Sequence, residues 1–145
     1  MSNPGPAITT SIHPSNLSSQ SALRVLAVLK NVSVASLGDI PVQVNNTSAY
    51  APATIVVANS NNAGASADVS TVHLGIYTAP AAGGSAVLSS GALTSQTTSA
   101  YVFTATASAP HVQLNAQTLY INIQTAVITA TVDVYVYGYD LSVSG

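Results

Sequence analysis

The chain has 145 residues, of which two are basic and four acidic, with no cysteine. One hydrophobic core suffices at this length, taking roughly 70% of the unfolded surface out of water, and the missing thiols exclude a disulfide scaffold, a thiolate zinc site and a cysteine nucleophile. Arg24 and Lys30 are too few to neutralise a run of phosphates or to hold an anionic lipid surface, which excludes nucleic acid and membrane as partners.

Residues 1–20 are rich in Ser, Thr, Asn and Pro, with scattered apolar positions that include Pro4, Pro6, Ile8 and Ile12. Such a stretch buries too little surface to order itself. It reads as an N-terminal arm, either a frayed end or a tether along a neighbouring subunit, ahead of a single domain over 21–145. The start Met1-Ser2-Asn3-Pro4 lacks the basic and apolar regions of a secretory signal, and no apolar run approaches the ~18 residues of a membrane span.

Ala22 to Leu29 suits a strand or a short helix, because Leu23, Leu26 and Leu29 fit both periods; the strand is preferred. Val32 and Val34, the turn Leu37-Gly38-Asp39, then Ile40, Val42 and Val44 read as two short strands joined tightly. Ala53 to Ala58 is a β-branched run closed by the Asn59 to Gly64 loop. Val72, Leu74 and Ile76 alternate with His73, Gly75 and Tyr77, and Gly83-Gly84 turns the chain into a strand around Val87. Tyr101, Phe103 and Ala105 alternate with Val102, Thr104 and Thr106, and Leu119, Ile121 and Ile123 alternate with Tyr120, Asn122 and Gln124. The last strand, Thr131 to Tyr139, is the clearest. About eight short strands without a convincing helix predict an all-β fold, a two-sheet antiparallel sandwich with jelly-roll-like connections.

No catalytic centre is legible. Asp39 and Asp68 sit in turn sequences and Asp133 sits mid-strand, so no pair of carboxylates offers the separated pKa values that acid–base hydrolysis needs. His13, His73 and His111 lack zinc-site spacing, and neither a nucleophile elbow nor a phosphate-cradling loop is present. The expectation is therefore a non-enzymatic protein with no metal and no cofactor.

What the composition does favour is a surface meant to be covered. Charged residues make up 4% of the chain, against about 25% in a typical domain. Neutral polar side chains must do the solvating, and such a surface loses little hydration when another protein covers it. Within the last strand, Val132, Val134 and Val136 fall on one face and Tyr135, Tyr137 and Tyr139 on the other. The valines read as core. The tyrosines either pack under a loop or the second sheet, or form a face for another subunit or a ligand.

As an ordered set, several segments resemble a family of small head decoration, or capsid cement, proteins of tailed bacteriophages. They are Gly38-Asp39-Ile40-Pro41-Val42, Ile55-Val56-Val57-Ala58-Asn59, Gly75-Ile76-Tyr77-Thr78-Ala79 with the Gly83-Gly84 tip, Leu119-Tyr120-Ile121-Asn122-Ile123, and Ala130-Thr131-Val132-Asp133-Val134-Tyr135-Val136-Tyr137-Gly138. The resemblance covers about Leu29 to Leu141 and leaves the arm outside. It implies a homotrimer, made in the host cytoplasm, that sits on the outer surface of the virion and binds across neighbouring major capsid proteins. It implies no catalytic residue. Candidate contacts are Tyr135, Tyr137 and Tyr139 together with Pro4, Pro6, Ile8 and Ile12 of the arm. The competing expectation is a receptor- or glycan-binding module of a virion fibre or tail, using the same tyrosines.

Overall fold

The computed structural model describes residues 23–45, 47–94, 96–99, 102–108, 112–126 and 129–142. These form nine strands: β1 (Arg24–Ser33), β2 (Gly38–Gln43), β3 (Tyr50–Asn62), β4 (Ala65–Ser66), β5 (His73–Ala79), β6 (Gly83–Ala92), β7 (Val102–Thr106), β8 (Thr118–Thr125) and β9 (Thr131–Asp140). The segment from Arg24 is a strand, and no helix occurs among the described residues.

All pairings are antiparallel, and they build two sheets. Sheet A runs β1-β9-β3, with β7 on the far edge of β3 and the two-residue β4 folded back onto the end of β3. Sheet B runs β2-β8-β5-β6. With the small β4 set aside, the chain order in the sheets is the double Greek key of an eight-stranded jelly roll. The first and last strands lie side by side in sheet A, and the second and second-last lie side by side in sheet B.

This topology refines two local expectations. β1 and β2 are two strands joined closely, as expected, but Gly38 and Asp39 belong to β2 and not to the turn, and since β1 bonds β9 and β2 bonds β8, residues 34–37 carry the chain from one sheet to the other. β3 begins at Tyr50 and runs on through Asn59 to Asn62, longer at both ends than the run of β-branched residues. Pro52 is tolerated within it because the register with β9 shifts between Pro52 and Thr54, and a bulge is where a sheet accepts a residue without an N–H.

The core lies between the sheets. Val132, Val134 and Val136 of β9 are at most 2% exposed and join Leu26, Ile55 and Val57 from sheet A, with Leu74, Ile76, Leu119, Ile121 and Ile123 from sheet B. Each such side chain contributes about 1.5–3 kcal/mol by leaving water. The sandwich end is closed by Tyr50, fully buried, whose hydroxyl donates to the Ala116 carbonyl at 2.5 Å.

Candidate protein-binding face

The pairing register fixes which side chains share the outer face of sheet A. Val25 of β1, Tyr137 of β9, Thr54 of β3 and Thr106 of β7 lie in one row across the strands. Val28, Tyr135, Val56 and Thr104 form the next row, and Asp133, Ala58 and Val102 the one after. Alternation puts these residues on the side opposite the valine core. Val25, Val28, Val56, Tyr135 and Tyr137 are partly exposed, and Val102 and Tyr139 more so. Tyr135 and Tyr137 stack on each other, with centroids 6.3 Å apart and planes 19° from parallel.

The tyrosine stripe therefore does not pack under the second sheet, whose place on the other side of β9 is taken by the valines. Val25 and Val28 join the stripe for a reason that the sequence hides. They are three residues apart, an odd spacing that a regular strand would split between faces. The bulge between Val25 and Ala27 sends both Leu26 and Ala27 inward and brings Val28 back out.

Asp133 is the one carboxylate on this face, and it is already engaged. It accepts from the backbone N–H of Asn31 at 2.9 Å and from the Asn59 side-chain amide at 2.8 Å, and it is 9% exposed. The outer face of sheet B differs in kind. Its rows carry Asp39, Asn122 and Gly75, then Pro41, Tyr120, Tyr77 and Ala86, with Gln43 beside Thr118. Tyr77 is pinned there, its hydroxyl accepting from Ser90 N–H at 3.0 Å. Both outer faces carry tyrosines; that of sheet A adds Val25, Val28 and Val56, with exposed Lys30 opposite Asp133 at the β1 edge, whereas that of sheet B adds Asp39, Asn122 and Gln43.

The remaining carboxylates are also committed to local structure. Asp39 accepts from the Asn122 amide at 2.7 Å and from Ala81 N–H at 2.9 Å, and those bonds, Asn122 first, hold its carboxyl below the usual range. Asp68 is lowered likewise by Ser70. Asp140 takes bonds from Ser142 and Thr47 and an ion pair from Arg24 at 2.8 Å. Its carboxyl is held down at about 2, chiefly by the Ser142 and Thr47 hydroxyls, with desolvation opposing. Among the described residues, no three His, Asp or Glu side chains gather as a metal would require, and no helix is long and apolar enough to cross a membrane.

A separate cavity of about 360 Å³ opens beside β6 and the end of β7, lined by Pro52, Val87, Ala107, Ser108, Val112 and Leu114 among others, none of them titratable. Of the residues singled out from the sequence, Tyr135, Tyr137 and Tyr139 are brought together on one face. Pro4, Pro6, Ile8 and Ile12 lie outside the described residues, as do His13, Tyr101 and His111. Compared with protein-family models, curated proteins and solved structures, the chain matches none.

Proposed function

We propose that this chain is a non-enzymatic virion structural protein, a cement protein that stabilises a tailed-phage head by binding across neighbouring major capsid subunits as a homotrimer. The observation that carries the proposal is the outer face of sheet A, a Val/Tyr/Thr surface with exposed Lys30 at its β1 edge and a single carboxylate already bonded within the fold. Apart from Lys30, the contacts such a face makes are apolar and neutral, so salt does not screen them as it screens exposed ion pairs. That suits a protein which must hold a lattice together against packaged DNA. The resemblance noted in the sequence supports the same reading.

The test is co-sedimentation of the purified protein with phage heads assembled without it. Saturable binding in a fixed ratio to the major capsid protein is expected, together with a higher head-rupture temperature. Tyr137→Asp should lower occupancy by at least tenfold while leaving the fold intact. Heads that take up no protein at micromolar concentration would reject the proposal.

A second reading, a glycan-binding module of a fibre or tail, draws on Tyr139, whose side chain is 38% exposed beside the stacked pair. Saturable glycan-array signals that Tyr139→Ala abolishes would favour it over the cement role.

A further inference from the structure

A sheet that stops leaves a row of N–H and C=O groups along its last strand, and such edges are guarded in stable proteins. Here β1, β2 and β6 are guarded. β1 is broken by two register slips and carries exposed Lys30. β2 contains Asp39 and Pro41. β6 slips three times against β5, and Ser108 occupies its open side, donating its N–H to the Val87 carbonyl at 2.9 Å and accepting the Ser89 N–H on its hydroxyl at 2.7 Å.

β7 has none of these devices. It pairs with β3 without a slip, holds neither proline nor charge, and no described strand lies on its other side. The pairing also fixes which groups are open. Ala107, next in the chain, donates to the Ala53 carbonyl at 2.8 Å. Alternation therefore turns the N–H and C=O of Phe103 and Ala105 toward β3, and those of Thr104 and Thr106 away from it. Both threonines are exposed. Val102 also points away, but it is engaged in another interaction and is left out of the argument. Phe103 and Ala105, which face the core, stay only partly buried where sheet A ends.

Open groups two residues apart on one strand can satisfy their counterparts in a second copy. Turned antiparallel about a two-fold axis through Ala105, Thr104 of each copy faces Thr106 of the other, and four backbone hydrogen bonds form from open groups alone. Ala105 meets its own counterpart at the non-hydrogen-bonded position, where Cα atoms approach to about 4.5 Å and a small side chain fits. Phe103 comes over Ala107 of the second copy, large against small, and two Thr–Thr pairs form on the outer face. The rows that meet, Thr104 with Val56 and Tyr135, and Thr106 with Thr54 and Tyr137, hold no charge, so like meets like without repulsion. An unrelated strand would gain the backbone bonds but not these side-chain matches.

We propose that β7 is a self-association edge, through which two copies join antiparallel about Ala105 and continue sheet A across the pair. The edge measures roughly 17 Å by 20 Å, on the order of 300 Å² from each copy, against about 800 Å² in a stable interface. The pair therefore forms and parts in the micromolar range, and it gains strength where copies are already held side by side. The contact lies at the rim of the sandwich and does not depend on the cement reading; where trimers form, it links one trimer to the next.

Sedimentation velocity of the full chain from about 5 to about 500 μM tests it. The mass should rise with concentration to an even number of copies, two, or six where trimers form. Thr104→Pro removes an N–H that points away from β3, so the ladder to β3 stays whole. It should weaken association about tenfold or more while the variant still melts cooperatively. Thr104→Lys, which leaves the backbone intact, should do the same. A chain that stays at one or three copies at the highest concentration, or an even-numbered assembly that both variants leave unchanged, overturns the inference. So does protection of the Thr104 and Thr106 amides from hydrogen exchange in a dilute monomer, which would mean that the chain closes this edge itself.

Because the chain has no cysteine, Ala105→Cys adds a second readout under mild oxidation. The axis brings its two Cα atoms within disulfide reach, whereas Thr104→Cys leaves them out of register and beyond it. Disulfide-linked dimers of the first variant alone support the axis, and any other pattern overturns it. A chain that passes these tests and yet ignores phage heads would sink the cement reading and leave the β7 contact standing.

Discussion

Asp133 and Asn59 face each other across β9 and β3, the Asn59 amide donating to the carboxylate at 2.8 Å. On the other side of β9, the same carboxylate takes the backbone N–H of Asn31. Both asparagines have φ of 57° and sit where the register with β9 slips, between Leu29 and Val32 in β1 and between Ala58 and Asn61 in β3. One side chain in the central strand therefore fastens a bulge on each flank. Asn accepts positive φ more readily than most residues, which explains why the same residue type recurs on both sides.

Replacing that carboxylate tests the clasp. Asp133→Ala removes two charge-assisted bonds at a nearly buried position and should cost about 2–3 kcal/mol. Urea unfolding monitored by circular dichroism should show a lower midpoint with an unchanged slope. A loss under ~0.5 kcal/mol would mean that the bulges hold themselves.

Acid should weaken the junction where β1 and β9 meet. The Asp140 carboxyl is held at about 2, below the ~3.9 of an unfolded Asp. A depressed carboxylate stabilises the fold above the unfolded value and loses that contribution as pH falls through the folded one. The contribution should disappear between about pH 4 and pH 2. Asp140→Asn should flatten the acid limb of the stability curve over that window, and an unchanged limb would assign acid sensitivity elsewhere.

Alkali acts through Tyr50, whose hydroxyl is pushed up to about 12 by burial. Here the folded value exceeds the unfolded one, ~10, so the stability is present below pH 10 and is lost as pH rises toward 12. Tyr50→Phe should cost about 1–2 kcal/mol at neutral pH, since it leaves the Ala116 carbonyl without its donor. The same variant should lose less stability than the parent between pH 10 and pH 12, which denaturant titrations at each pH will show.

Gln96 offers a stabilising change. It is fully buried, and among the described residues neither its amide nitrogen nor its amide oxygen has a hydrogen-bond partner. Its backbone is engaged, donating to Leu93 and accepting from Val69. Gln96→Met keeps the shape of the side chain without the unpaired polar atoms and should gain about 1–2 kcal/mol. A loss in differential scanning calorimetry would show that ordered water satisfies the amide.

Gly138 should tolerate nothing larger. A Cβ there would meet the Ala51 carbonyl oxygen, and would lie 2.6 Å from Leu26 Cδ1 and 2.8 Å from Pro52 Cα. Backbone cannot step aside as a flexible side chain can, so Gly138→Ala should cost about 3 kcal/mol. A crystal structure of a well-folded Ala variant would have to show β3 displaced.

Several features of this protein follow from its residues in order. The valine–tyrosine alternation of β9 sets one side toward apolar neighbours and the other away, because successive side chains on a strand point in opposite directions. The β-branched runs and turn residues specify strands and an all-β sandwich, and the dearth of charge is a property of composition alone. The partners of each strand are a different matter. Pairing β1 with β9 brings together residues more than a hundred positions apart, such as Arg24 and Asp140, and local pattern carries no information about contacts at that separation. Bulges also defeat strict alternation. Only the slip at Leu26 puts Val25 and Val28 on one side, and only the register with Tyr135 and Tyr137 turns scattered valines into a continuous face. The sequence determined that some surface would be neutral, and the tertiary pairing decided that the outer side of sheet A would be the apolar one.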